Sequence, residues 1–506
     1  MIPEMMNIFF NKIAIVHSFY SAVFRYMNEF IDPYLIASEA FTALESDKLQ
    51  KTDPMQNLFD YMEFMRFNVQ IAEKGATGTQ KEMEKLMLQE GQRYARAFSN
   101  TLAMIPDEED LVQYYDKLAR LMDVLARQNQ KTILAVKQDF GFHFERPGYV
   151  LAAETPRFCL YQVLPSKPGV ELDPNGKPVL IFHPFVLGPN ILAFLVDEGK
   201  SYVHAFANQG IPTYIRILKD ITVTDAVQTM TPEDDALDTQ YFCQELIERH
   251  GQKVTLNGFC QGGFMAVLDI LSGALDGLVD SLITCVAPMD GTRSLALVEY
   301  LEHLPTRFRD LSYAYKRMSN GNYVVDGKVM SWVYKLKSME KEFPLVALFR
   351  DMESTDETAM NKTAAALNHW IIYDRNDLPV KITQLSFDSY TQPVTPAGEL
   401  PVIMFGKRLN FHDFDGKGID WLLCYAEKDD LVDAPAALTP LDFIKSGIQV
   451  TVFPKGHGSI ATSWSDENSQ CALHKPFQHK GKTYDGPVFW HQKRNRPYYM
   501  KKASAQ

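Results

Sequence analysis

Cysteine is scarce and unpatterned in this chain. Its six cysteines among 506 residues (Cys159, Cys243, Cys260, Cys285, Cys424 and Cys471) include no Cys-x-x-Cys pair. That spacing excludes a disulfide framework and a zinc ribbon, and it fits a cytosolic protein. No apolar run of about 18 residues goes uninterrupted, which argues against a transmembrane helix. Basic residues are outnumbered, 51 to 63, and the net charge of −12 excludes non-specific nucleic-acid binding. There is no His-x-x-x-His pair, no carboxylate cluster with ligand spacing and no glycine-rich phosphate loop, so no metal or cofactor is expected. Internal repeats and low-complexity segments are also missing. The segment Met5–Phe30 is apolar and aromatic but is interrupted by Asn7, Asn11, Lys12, His17 and Arg25. It lacks the basic start and the small-residue cleavage site of a secretory signal. The expectation is a helix packed within the protein, or an amphipathic helix that meets a hydrophobic surface.

What is present is globular, with 46% hydrophobic and 23% charged residues. The length exceeds one ordinary core. Residues 1–157 read as a helical region. Met83, Leu86, Met87, Tyr94, Ala97, Phe98 and Leu102 recur at helical spacing, and Gly75-Ala-Thr-Gly78 is expected to break the helix before them. A second stripe, Leu111, Tyr115, Leu118, Met122 and Leu125, begins after the acidic run Asp107–Asp110, which suits a helix N-terminus. From about residue 158 the pattern changes to short β-rich runs: Phe158–Leu164, Val179–Phe182, Thr213–Leu218, Val254–Gly258, Leu282–Val286, Trp421–Ala426 and Gln449–Phe453. Several are continuously apolar, as central parallel strands are, and helical patterns such as Asp234–His250 and Phe264–Leu275 separate them. The reading is an α/β core in two parts, 158–290 and 401–470. An insertion, 291–400, lies between them, and a basic, aromatic tail at 471–506 is expected to lie loosely on the surface.

The most informative stretch is Val254-Thr-Leu-Asn-Gly258-Phe-Cys260-Gln-Gly262-Gly263-Phe-Met-Ala-Val-Leu268. It reads as a strand, a tight turn at Cys260 and a helix. Gly-x-Cys-x-Gly is the spacing of the α/β-hydrolase nucleophile elbow, with cysteine in place of serine. Glycines two residues either side remove side chains that would clash with the neighbouring strand and helix. The helix that follows aims its positive end at the sulfur and favours negative charge there.

Such a nucleophile needs a base and an orienting acid, which in this fold follow later strands in the order nucleophile, acid, histidine. The strand Trp421–Ala426 runs into Asp429-Asp430-Leu431-Val432, and Gln449–Phe453 runs into Gly456-His457-Gly458. His457 is the expected base and Asp429 the expected acid, with Asp430 and then Asp290 as rivals. For an oxyanion hole the candidates are the Gln261 N–H and, in the loop after Val179–Phe182, the N–H of Phe185 or Val186, because Pro184 has none. His183 in that loop is read as structural. The core is thus expected to be an α/β-hydrolase fold with a mostly parallel sheet, a cap insertion and a helical N-terminal region.

With these residues in place, the chain resembles the polyhydroxyalkanoate synthases over about residues 160–465. Gly258-Phe-Cys260-Gln-Gly262-Gly263 is similar to their cysteine lipase-like box, Tyr425-Ala-Glu-Lys-Asp429 to their acid motif, and Phe453-Pro-Lys-Gly456-His457 to their histidine motif. Pro184-Phe185-Val186 resembles their Pro-Trp-Ile, and the stretch from Trp370 to Phe411 resembles their lead-in to the acid strand. The chain departs from the family at Asp430 (usually His), at Asp433-Ala434 (usually Pro, often with an aromatic), at Leu187-Gly188 (usually Asn-Lys or Asn-Arg) and at Gly458-Ser459-Ile460 (usually Ile-Ala-Gly). The resemblance implies an acyltransferase that polymerises hydroxyacyl-coenzyme A through an acyl group carried on Cys260, with coenzyme A as leaving group. It also implies a cytoplasmic homodimer associated with polyester granules and granule proteins. Two other readings stand beside it. One is a cysteine hydrolase (a thioesterase, a dienelactone hydrolase-like enzyme or an intracellular polyester depolymerase), and the other is a non-enzymatic granule-binding scaffold.

Overall fold

The computed structural model describes residues 2–355 and 359–495. The chain divides into two compact units. One comprises residues 1–138, 303–314 and 328–373, and the other residues 139–302, 315–327 and 374–506.

The first unit is helical. Helix α1 spans Ile2–Lys48, α2 spans Pro54–Ala103 and α3 spans Leu111–Asp123. Asp53 caps α2 by accepting from the Met55 and Gln56 N–H groups, and Asp110 with Gln113 forms a capping box at the start of α3. Ala22 and Tyr26 of α1 are buried with Met122, Leu125, Leu348 and Phe349. The Tyr26 hydroxyl donates to Asp351 Oδ2 at 2.5 Å. Segment 303–314 is tied to α1 through Glu45, which takes Arg307 Nη2 at 2.7 Å and the Tyr313 hydroxyl at 2.5 Å. The N-terminal segment therefore packs by one face. Phe9, Phe10, Ile13, Val16, Tyr20 and Phe24 on α1 stay more than half exposed. Among the described residues, no helix is long and apolar enough to cross a membrane.

The expected break at Gly75–Gly78 does not occur, and α2 runs through both glycines. They serve a close contact instead. A Cβ at Gly78 would lie 2.2 Å from the Glu340 carbonyl oxygen, and one at Gly75 would lie 2.7 Å from the Phe343 ring. The two missing side chains let the turn Met339–Glu342 approach the helix backbone.

The second unit is built on an eight-stranded sheet: β1 Tyr149–Glu154, β2 Phe158–Val163, β3 Val179–Phe182, β4 Thr213–Leu218, β5 Val254–Phe259, β6 Val279–Cys285, β7 Asp420–Ala426 and β8 Ile448–Phe453. Their spatial order is β1-β2-β4-β3-β5-β6-β7-β8. β1 pairs antiparallel with β2, and β2 with β4, while every pair from β4 to β8 is parallel. β3 is buried along its whole length, which explains its continuous apolar run, and β5 is equally buried although Thr255 and Asn257 interrupt its apolar residues. β1 escaped the sequence reading because it is a half-exposed edge strand.

Residues 291–400 are shared between the units, with 303–314 and 328–373 in the helical one and the remainder in the sheet-containing one. The stretch from Cys471 is not a loose tail as far as it is described. It forms a hairpin, Pro476–His479 with Lys482–Asp485, and a helix, Pro487–Arg494. Leu473, Val488 and Trp490 are buried, and Trp490 Nε1 donates to Gln449 Oε1 of β8 at 3.1 Å. Of the basic residues read into the tail, Arg496, Lys501 and Lys502 lie outside the described residues.

Two substitutions in α2 should act in opposite directions. Gly78→Ala drives a Cβ into a backbone carbonyl and should cost about 1–3 kcal/mol. Gly91→Ala, with nothing within 4 Å of its added Cβ, should gain about 0.5–1 kcal/mol from helix propensity. Urea denaturation followed by far-ultraviolet circular dichroism should show the two midpoints moving apart.

Candidate active site

Strand β5 delivers Cys260 in a backbone conformation that L-residues avoid, φ 52° and ψ −126°. Its N–H donates to the Cys285 carbonyl of β6 at 2.8 Å. The neighbouring glycines are required by contact distances. A Cβ at Gly258 would lie 2.3 Å from Gly263 Cα, one at Gly262 would lie 2.5 Å from the Phe182 oxygen, and one at Gly263 would lie 2.7 Å from Ala287 Cβ. The helix Gln261–Leu271 starts at the next residue, so the positive end of its dipole lies at Cys260. Cys260 is 7% exposed.

The structure brings two further expected residues together. His457 Nδ1 lies 2.8 Å from Asp429 Oδ2. The other carboxylate oxygen, Oδ1, accepts the Leu431 and Val432 N–H groups, each at 2.9 Å. Those bonds fold Asp429-x-Leu-Val into a turn at the end of β7 and hold the carboxylate in one orientation. The Asp429 side chain is fully buried. Burial by itself lowers the affinity of His457 for a proton. The Asp429 carboxylate, and after it the Cys260 sulfur, outweigh that effect and hold the imidazole well above its ordinary pKa. Because Nδ1 carries the proton donated to Asp429, Nε2 is the nitrogen left for chemistry. It is buried and faces the Cys260 sulfur.

The rival acids stand elsewhere. Asp430 is exposed. Asp290 accepts from the Thr292 N–H and hydroxyl and pairs with Arg293 Nε at 3.2 Å. His183 is buried, its ring bonded to the Pro184 carbonyl at 3.1 Å, and burial pushes it down to about 4. In the same loop Phe185 is buried with its ring edge-on to His183, while the Val186 N–H points at the Gln261 side-chain oxygen, 3.3 Å away.

The spatial strand order, the antiparallel second strand and a strained cysteine between β5 and its helix decide the architecture. This is an α/β-hydrolase fold. No protein-family profile matches the chain, and no curated protein is significantly similar to it in sequence. Among solved structures it is similar to the naproxen esterase (carboxylesterase NP) of Bacillus subtilis, at 11% identity over 66% of this chain and 93% of that one, with a TM-score of 0.34. It is also similar to a putative lipase of Acinetobacter baumannii AYE, at 10% identity over 75% and 97%, with a TM-score of 0.31. An α/β-hydrolase fold protein of Chitinophaga pinensis gives 13% identity over 62% and 90%, with a TM-score of 0.29.

One participant was absent from the sequence reading. Ser386, on the helix Val380–Thr391, accepts from Gln261 Nε2 at 2.5 Å. Nothing local marks it, since the contact joins residues 125 positions apart.

The charge arrangement has a pH signature. Asp429→Asn removes the carboxylate that favours the imidazolium, so the His457 titration should move to lower pH, and Asp430→Asn should leave it nearly in place. Nuclear magnetic resonance of the imidazole would follow both. The sign carries into stability. A histidine raised on folding stabilises fully below its unfolded value of about 6.5 and loses that contribution as pH rises through the folded one. Asp429→Asn should flatten this dependence.

Proposed function

We propose that this α/β-hydrolase-fold chain is an acyltransferase of the polyhydroxyalkanoate synthase kind, with Cys260 as nucleophile, His457 as base and Asp429 as orienting acid. The observation that carries the covalent route is the buried His457–Asp429 pair beside a cysteine held in elbow geometry. The choice of polymerisation over hydrolysis rests on the resemblance of the cysteine, acid and histidine motifs to those of the synthases. His457 takes the Cys260 proton, and the sulfur attacks the carbonyl carbon of a hydroxyacyl-coenzyme A thioester. The carbon–sulfur bond to coenzyme A breaks, the proton leaves with the coenzyme A thiol, and the acyl group rests on Cys260. Thiol–thioester exchange is nearly balanced in energy, so a cysteine suits this donor better than a serine does. His457 then removes the proton from the hydroxyl of a second hydroxyacyl unit, whose oxygen forms an ester as the Cys260 thioester breaks. The exposed apolar row Phe9, Phe10, Ile13, Val16, Tyr20 and Phe24 on α1 supports contact with a polyester surface.

A second reading, a cysteine hydrolase that passes the acyl group to water, uses the same three residues. It is favoured by the departures from the synthase motifs at Asp430, Asp433-Ala434, Leu187-Gly188 and Gly458–Ile460.

One assay tests both readings. Hydroxybutyryl-coenzyme A should release coenzyme A and yield insoluble polymer, whereas free acid with no polymer would establish the hydrolase. Cys260→Ala should abolish coenzyme A release, and retention of more than a few per cent of turnover would refute the covalent route. Asp429→Asn should cost on the order of 10⁴ in turnover, as loss of a triad acid does in serine enzymes, and Asp430→Asn far less.

A further inference from the structure

The Gln261 side chain joins three elements at the nucleophile. It is 6% exposed, its Oε1 accepts the Val186 N–H at 3.3 Å, and its Nε2 donates to Ser386 Oγ at 2.5 Å. Val186 can only donate, which orients the amide: carbonyl toward the loop after β3, amino group toward the serine. That loop abuts the elbow, since a Cβ on Gly262 would lie within 2.8 Å of both the Phe182 and the His183 carbonyl oxygens. A trigonal carbonyl oxygen from the chain itself therefore rests on an N–H of the loop that abuts the Cys260 elbow. A thioester carbonyl attacked at Cys260 must find its donors in the same place.

We propose that Gln261 is an internal occupant of the oxyanion site, held there by Ser386, and that the substrate carbonyl must displace Gln261 Oε1 from the Val186 N–H before acylation. The proposal rests on Cys260 being the acyl carrier. It makes Ser386 a positioning residue that acts through Gln261 and couples the helix Val380–Thr391 to site opening. Loss of the Ser386 hydroxyl removes one hydrogen bond that holds the occupied state. The acylation-competent state then gains by the net strength of that bond, about two- to tenfold.

Two reagents read this step separately. A β-lactone acylates the sulfur: the sulfur–carbonyl bond forms, the ring carbon–oxygen bond breaks, and the negative charge passes through the carbonyl oxygen, so the reaction needs the oxyanion donors. Iodoacetamide alkylates the same sulfur with loss of iodide and develops no oxyanion. Mass spectrometry would give both rates at Cys260 in the full chain. The ratio of lactone rate to iodoacetamide rate should rise about two- to tenfold in Ser386→Ala and in Gln261→Ala, and stay at the wild-type value in Ser386→Thr, which keeps the hydroxyl. An unchanged or lower ratio in both alanine variants would overturn the proposal and leave Gln261 as a strut for the loop. Wild-type protein that neither reagent modifies at Cys260 would refute the nucleophile assignment itself, a failure distinct from that of the occupied oxyanion site.

Discussion

A cysteine backbone at φ 52° and ψ −126° carries a strain of about 1–3 kcal/mol, and it persists only where the surroundings leave no alternative. Here three close approaches supply that constraint. Gly258 lets the start of the helix pass over the end of β5, Gly262 lets it touch the carbonyls that end β3, and Gly263 admits Ala287 beyond β6. The Cys260 N–H is fastened to β6. Backbone contacts on both neighbouring strands thus aim the Cα–Cβ bond of Cys260, which leaves its χ1 torsion alone to set the sulfur. Any residue larger than glycine at these positions would release the strain by moving the sulfur.

The same sheet places the partners. β7 follows β6 in spatial order and β8 follows β7, both parallel to β5, so the loops after all three strands emerge at one edge of the sheet. Asp429 leaves β7 in a turn closed by its own carboxylate, and His457 leaves β8 one strand further out. The buried carboxylate accepts two backbone N–H bonds and one from the imidazole, which offsets its removal from water. Cys260, Asp429 and His457 therefore follow one another along the chain in the same order as β5, β7 and β8 lie across the sheet.

How much of this was legible follows the range of each interaction. Val179–Phe182 and Thr213–Leu218 match their strands residue for residue, the first because a central parallel strand imposes an apolar run that ends where the sheet ends, the second because its β-branched and aromatic residues stand out although Arg216 interrupts them. Cys260, Asp429 and His457 were legible because each sits in the first few residues after such a run. β1 was missed because an edge strand with one wet face carries a weaker pattern. Gly75 and Gly78 misled for a physical reason. A glycine pair in a helical pattern marks either a break or a close neighbour, and only the neighbour, Glu340 in the folded chain, decides between them. The structured stretch after Cys471 hid its core in isolated residues, Leu473, Val488 and Trp490, without periodicity. The Gln261–Ser386 bond had no local signature at all.

Polymerisation and hydrolysis share the sulfur, the imidazole and the carboxylate, so the triad geometry is neutral between them. The difference lies in which hydroxyl reaches the acyl-enzyme, and therefore in the surfaces beside Cys260. Those surfaces are the loop after β3, with Phe185 buried in it, the Phe259 ring 5.4 Å from the His457 ring, and the helix Val380–Thr391 that reaches Gln261. On the synthase reading, apolar groups of this kind would disfavour an isolated water and favour a larger alcohol that brings its own apolar surface. Gly188, in the loop after β3, has no side chain, and the carboxylate of Asp374 lies 3.5 Å from the point where its Cβ would be. This position is also one of those at which the chain departs from the synthase pattern. On either proposed reading Cys260, His457 and Asp429 have the same work, and the loop after β3 with the helix Val380–Thr391 is where the two readings differ.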